Sequence, residues 1–327
     1  MNIKRLAFFL LMSAAFLACK HDPLKVDTSE VQMEVNYLRF DDAFFGTPVS
    51  DLPEALPELQ REFPEFFLVG QTTEEWIEVR KDPLLNMLYD RVSSVHPDIS
   101  VFKSDVEMIL KHFKYYYPSY PSSVKVFTYV SGLDYEYPVI SADSMYFISI
   151  DMFLGPDTVY DQFPQYLAKH FDPTYFPAKF ARAIAEPLVE IDRTNGSFLA
   201  KMLYEGRVLY LMEALMSEVN ENIVIEYTPE ELAWAKEHEQ EIWTFFVEDE
   251  LLFSNENGLY DRFIAEAPFS KFYAKIDRES PGRIGRWIGW QIVRSYMKAH
   301  PETTVQELAS MSETRILFKN AQYKPLR

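Results

Sequence analysis

Histidines and carboxylates are the residues of this sequence that could support hydrolytic chemistry, and the histidines do not have the spacing of a metal site. The six histidines are scattered, and no two lie three or four residues apart. A zinc peptidase helix needs two imidazoles at positions i and i+4, with a glutamate between them as general base. His238 and Glu239 begin such a motif, but Ile242 stands where the second histidine belongs. The sequence therefore predicts no metal ligands and no cofactor.

Carboxylates are so abundant in this chain that a single pair of them is weak support for catalysis. Asp151, beside a predicted strand, and Glu205, followed by a glycine on a predicted helix, are the two acids that stand out. Either could serve as a general acid or base, although a capped or salt-bridged structural acid is the commoner case. Arg283 and Arg286 flank glycines at a predicted helix start. They could pair with such acids or lie on the surface as free charges.

The elements that must position these side chains predict an α+β fold that is predominantly helical. A helix over 98–116, with apolar residues on one face, precedes two strand-like runs at 124–130 and 145–153 that could pair as neighbours. From about residue 178 onward the pattern is almost wholly helical, with a break at Pro187. Thr228, Pro229 and Glu231 form a capping box that starts a helix predicted to reach residue 253. The last helices are predicted from Ser280 to residue 300 and after a Thr303/Gln306 cap.

Composition limits the classes of function. The chain has 327 residues, 48% of them hydrophobic, which is enough to bury a large core. Its formal net charge of -18 argues against nucleic acid and anionic lipid surfaces as electrostatic partners. The single cysteine leaves no intramolecular disulfide, so packing alone must hold the fold.

That cysteine, Cys19, follows a basic start and an apolar run at residues 7–18. The run is too short to span a bilayer, which takes roughly 20 residues, and is typical of a signal peptide. We expect residues 1–18 to be a lipoprotein signal peptide, Cys19 to carry the lipid, 19–35 to be a tether and 36–327 to form a single globular domain. Lys20, rather than an aspartate, is compatible with transport to the outer membrane. A plain cleaved signal peptide, with Cys19 incidental, is the alternative.

Four motifs of this chain lie at residues 148–155 (ISIDMFLG), 204–210 (YEGRVLY), 228–232 (TPEEL) and 280–293 (SPGRIGRWIGWQIV). Together they resemble the GldB family of gliding-motility lipoproteins, and the resemblance spans nearly the whole chain. The resemblance implies a cell-envelope lipoprotein of the gliding apparatus with no established enzymatic activity. Its partners would be envelope or motility-machinery proteins, together with the membrane through the lipid anchor.

The GldB family is in turn similar to predicted zinc peptidases, which implies a zincin-like arrangement of a small sheet packed against helices, without the metal motif. If the order of strands and helices in those peptidases is laid on this sequence, Ala185, Glu186 and Val189 fall where the first histidine, the general base and the second histidine belong. Both imidazoles are absent, and two carboxylates are a poor ligand set for tetrahedral zinc. The resemblance therefore implies a pseudoenzyme whose cleft could still bind an extended chain against a sheet edge.

Three functions remain open from the sequence. The leading one is a noncatalytic lipoprotein that acts through protein binding; the others are a solute- or peptide-binding lipoprotein and a cryptic hydrolase. The candidate cleft or binding residues are Asp151, Glu186, Glu205, Arg283, Arg286 and Trp287.

Overall fold

The computed structural model describes residues 23–67, 70–273 and 275–325, so the predicted signal peptide and Cys19 lie outside the described residues. The strands are β1 (Glu34–Arg39), β2 (Ser123–Tyr129), β3 (Val139–Ala142) and β4 (Met145–Ser149). Helices in the first half are α1 (Phe40–Phe45), α2 (Leu52–Glu62), α3 (Thr73–Lys81), α4 (Pro83–Val95) and α5 (Ser100–Tyr116). Those that follow the sheet are α6 (Gln165–Ala168), α7 (Phe176–Ala185), α8 (Phe198–Leu215), α9 (Glu221–Val224), α10 (Pro229–Glu237), α11 (Glu239–Glu248), α12 (Gly258–Phe263), α13 (Ile284–Ala299), α14 (Val305–Ser310) and α15 (Thr314–Ala321).

The strands form one mixed sheet in the order β1-β2-β4-β3. The first three strands in that order run parallel, whereas β3 is antiparallel to β4 and lies at the edge. The two strand-like runs of the sequence are β2 and β4, and they do pair as neighbours. β3 is a short strand between them that the sequence does not predict.

Each face of the sheet packs on a different set of helices. Val126 and Ile148 face the large core, which includes α5, α7, α8 and α13. Phe127 and Phe147 point the other way and stack at 5.0 Å, within an aromatic cluster completed by α1, α2 and α3. Alternate side chains of one strand lie on opposite faces of the sheet. Because each set packs against helices, both faces of the sheet are buried.

Helix α8 is the centre of the second half. Its buried residues surround the helix on all sides, as expected for a helix enclosed by others. Its most extensive helix contact is with α13, and it also packs on α5, α7 and α14.

The predicted fold class is confirmed: the fold is α+β and 56% helical, with its small sheet in the first half. The helix predicted over 98–116 is α5, and the Thr228 capping box is present with both of its hydrogen bonds. Among the described residues, no helix is both long and apolar enough to cross a bilayer.

Several boundaries differ from the prediction. The helix expected from Thr228 to residue 253 is divided between α10 and α11 at His238, whose Nδ1 bonds the carbonyl oxygen of Trp234 at 2.9 Å. The last predicted cap is Thr304 with Glu307, one residue later than expected. Packing also begins before residue 36, because Leu24 is buried in the large core and β1 begins at Glu34.

Candidate functional site

The side chain of Glu205 lies at the centre of a buried ion-pair cluster between α7, α8 and α13. Its Oε2 accepts a hydrogen bond from Arg182 on α7 at 3.0 Å and lies 3.5 Å from Nε of Arg286 on α13. Only 6% of Glu205 is exposed. One carboxylate therefore shares its charge with two guanidinium groups in a site largely closed to water.

Two glycines bring these helices close enough for the cluster to form. A methyl group at Gly289 would lie 1.9 Å from the carbonyl oxygen of Met202, and one at Gly206 would lie 2.3 Å from the carbonyl oxygen of Gly289. The backbones of α8 and α13 are therefore in direct contact, which only glycine permits at these positions. Glu205 is next to Gly206, and Arg286 lies about one helical turn before Gly289. The close crossing of α8 and α13 at these glycines therefore brings the side chains of Glu205 and Arg286 into contact.

The electrostatics of the cluster keep Glu205 ionised. Burial favours the neutral carboxyl group, but the guanidinium groups of Arg286 and Arg182 outweigh it and lower the pKa of Glu205. Burial likewise opposes the charge of Arg182, yet Glu205 and Glu186 raise its pKa further above the ordinary arginine value. Glu205 and Arg182 therefore both remain charged where they face each other.

A second group of charges continues from this cluster. The side chain of Glu266 is 35% exposed and lies 3.1 Å from Arg283 and 3.6 Å from Arg286. Desolvation raises the pKa of Glu266, but the charges of these two arginines outweigh it and lower that pKa to about 2. Farther on, Glu226 pairs with Lys179 at 2.5 Å. The ring of His170 is beside this pair, and burial, followed by the charge of Arg283, lowers its pKa to about 3. His170 is therefore neutral at physiological pH.

A groove of about 780 Å³ opens beside the cluster, between strand β3 and the segment 186–193; we call it the β3 groove. Apolar side chains are exposed on both of its walls: Tyr137 is 60% exposed, Ile140 40% and Ile191 60%. An adjoining pocket of about 320 Å³ shares Glu186 and Tyr204 with the groove and reaches Glu205. The ion-pair cluster thus lies at the inner end of a surface that combines a sheet edge with exposed apolar groups.

Glu186 is the predicted residue that lines both the groove and the adjoining pocket. Its side chain is 48% exposed and lies 4.0 Å from Arg182, four residues earlier. Helix α7 ends at Ala185, and the backbone of Val189 is extended, so Ala185 and Val189 are not one turn apart on a helix. Both of these apolar residues are buried in the core. The pair related by i and i+4 at this helix end is instead Arg182 and Glu186.

The remaining predicted residues have different surroundings. Asp151 is fully buried and accepts hydrogen bonds from the backbone N–H groups of Ser131 and Leu133, both at 2.8 Å. It fixes the loop after β2. Its partners do not line the groove, and burial raises its pKa against the opposing effect of these bonds. Trp287 is 1% exposed and packs edge-on against Trp290, so it belongs to the core.

Arg283 and Arg286 are both buried in ion pairs, not free on the surface. Arg283 precedes α13 with a left-handed backbone, φ 61°, which is uncommon for a residue with a side chain. Its guanidinium group donates to the carbonyl oxygen of Glu226 at 2.9 Å and to Glu266 at 3.1 Å, and these contacts hold it in place.

Sequence reasoning did not single out Arg182, Glu266 or Lys179. The available signal was weak: Arg182 lies four residues before Glu186, a spacing at which opposite charges meet on a helix. The described residues contain no group of three or more histidine, cysteine or acidic side chains arranged to hold a metal ion.

Comparison with known proteins identifies the chain. The family model described as gliding motility protein GldB matches residues 21–325. No curated protein and no solved structure matches the chain. The similarity to zinc peptidases stays a prediction, whereas the family match covers nearly the whole sequence. The chain belongs to the GldB family of gliding-motility lipoproteins.

Proposed function

We propose that this chain is a noncatalytic lipoprotein that binds a protein of the gliding-motility machinery, with lipid on Cys19 holding it at the outer membrane. Membership of the GldB family associates it with gliding motility and the cell envelope. The observation that carries the noncatalytic part is the pairing of Glu205 with Arg182 and Arg286.

This pairing is unsuited to acid–base or metal chemistry. A general acid or base works best with a pKa near the operating pH, whereas the pKa of Glu205 is lowered from an already acidic value. An arginine stays protonated and has no lone pair to offer a metal ion or a proton. The positive charge of Arg182, 3.0 Å from Glu205, also opposes the approach of a cation.

The β3 groove supports a role in protein binding. Exposed apolar side chains on its two walls, one of which is the edge of a sheet, are features of protein interaction sites. A volume of about 780 Å³ is sufficient for a short segment of polypeptide.

Lipid on Cys19 would hold the domain close to the membrane. Leu24 is buried in the core, five residues after Cys19. Five extended residues span at most about 18 Å, so Leu24 would lie within that distance of the lipid-bearing residue. Partners in the same membrane would be within reach of the domain.

A site-specific cross-linking experiment tests this function. A photoreactive amino acid replaces Tyr137 at the groove rim of the full-length chain, expressed in its own cells. The control replaces Val101 on α5, which is 48% exposed and outside the groove lining. We expect a discrete adduct with an envelope protein from position 137 only. Equal adducts from both positions, or none from position 137, would reject the groove as the binding site.

The adjoining pocket favours a second candidate, a small solute or peptide ligand. Tyr204 and Tyr260 offer aromatic surface there and Lys201 a cation, in a volume of about 320 Å³. Thermal unfolding of the purified protein with glycans and short peptides tests this candidate, since a ligand at 100 times its dissociation constant adds about 2.7 kcal/mol of stability. Peptide cleavage in the same mixtures would instead indicate a hydrolase.

A further inference from the structure

The main chain of β3 has one side paired and one side unpaired. The turn between β3 and β4 has two residues, with Ala142 opposite Met145 and Asp143 at φ 54°. At the other end of the hairpin, the N–H group of Ser149 donates to the carbonyl oxygen of Pro138 at 3.0 Å. Hydrogen-bonded pairs alternate with non-bonded pairs along an antiparallel ladder. Ile140 therefore exchanges hydrogen bonds with Phe147, while Val139 and Ser141 point their N–H and C=O groups away from β4.

These outward groups face the β3 groove. Both Val139 and Ser141 line it, and no backbone partner outside the β3–β4 ladder is found for them among the described residues. The strand sequence VISA carries no charge, although exposed edge strands are commonly protected by charged side chains. The groove thus presents unpaired donors and acceptors at the two-residue spacing of a strand.

We propose that an extended segment of the partner protein adds to β3 as a fifth strand of the sheet. Its main chain bonds Val139 and Ser141, and its apolar side chains pack against Tyr137 and Ile191 on the two walls. This inference rests on the proposed protein-binding function and specifies its mode. Only another extended backbone supplies donors and acceptors in the matching repeat, which favours a polypeptide over a glycan or a lipid.

Substitution of Ser141 separates main-chain recognition from side-chain recognition. Ser141→Pro removes the outward N–H group, and since that group does not bond β4, the β3–β4 ladder is kept. Ser141→Ala is the matched control, because it loses the same hydroxyl group and retains the N–H group. With the photoreactive residue at position 137 of the full-length chain, we expect at least a tenfold lower adduct yield in Ser141→Pro and an unchanged yield in Ser141→Ala. Equal yields in the two variants would overturn strand addition while leaving protein binding intact.

A second measurement does not depend on the proline variant folding. Photoreactive residues are placed at Tyr137 or at Ile140, three residues apart on the exposed edge, in chains with no other change. Strand addition predicts attachment points on the partner that also lie about three residues apart, in one consistent direction. Attachment points that do not move with the probe would overturn it. Attachment to a second copy of this chain would overturn the assignment of the added strand to a partner protein and would indicate self-association.

Discussion

Replacing Glu205 by glutamine tests whether the buried ion-pair cluster is a structural lock. Glutamine keeps the size of the side chain and removes its charge, which leaves Arg182 and Arg286 without the carboxylate they share. Removing one partner of a buried ion pair costs about 3 to 5 kcal/mol, because the remaining charge loses its principal partner. Glu186, 4.0 Å from Arg182, and Glu266, 3.6 Å from Arg286, compensate only part of that loss. We expect a loss of this size in the free energy of unfolding, measured by denaturant titration of the purified protein at pH 7.

The exposed pair between Glu78 and Lys81 is the matched control. Its atoms lie 3.0 Å apart, the same distance as in the Arg182–Glu205 contact, but the side chains are 74% and 51% exposed. Glu78→Gln should therefore cost at most about 1 kcal/mol. A cost for Glu205→Gln no larger than this would refute the structural role of the cluster.

The pH dependence gives a second, independent check of the same cluster. The pKa of Glu205 is lowered in the folded state, so its contribution is fully present above the unfolded value of about 4.3. It is lost as the pH falls through the lowered folded value. The difference between the wild type and Glu205→Gln should therefore shrink below about pH 4.

Three further predictions concern packing, protonation and anchoring. Gly289→Ala forces a methyl group towards the carbonyl oxygen of Met202, 1.9 Å away, and should lower the free energy of unfolding by about 3 kcal/mol in denaturant titration. The pKa of His170 is about 3 in the folded protein, so its protonation in the unfolded chain below about pH 6.5 favours unfolding. Between pH 8 and pH 5 the free energy of unfolding should therefore fall by about 2 kcal/mol less in His170→Gln than in the wild type. Cys19→Ser should move the protein from the membrane fraction to the soluble fraction and abolish its function; function that persists after release would make the anchor incidental.

Local signals in the sequence were sufficient for much of the fold. The Thr228 capping box and the helix from Ser100 to Tyr116 depend on residues close in the chain, and both are present. The break at His238 was missed because it depends on a side chain. Its ring stacks on Trp234 at 4.2 Å and bonds the carbonyl oxygen of Trp234, one helical turn earlier, whereas the apolar pattern of the sequence continues through His238.

The candidate site was only partly predictable because it is assembled by tertiary contacts. Glu205 was singled out by its position before a glycine, yet its partner Arg182 lies 23 residues away and its other partner belongs to α13. The groove depends on β3, a strand of four residues that is too short to show a clear alternation of polar and apolar side chains. Which side of that strand is free follows from the register of the hairpin together with the hydrogen bond from Ser149 to Pro138.

The central claim is that the β3 groove binds a partner protein without cleaving it. Mass spectrometry of the adduct formed from position 137 in cells tests this most directly, because the mass and sequence of the attached protein are read together. The account predicts a full-length envelope protein attached through an extended segment. A partner cut within the attached segment, or the absence of any groove-specific adduct, would contradict it.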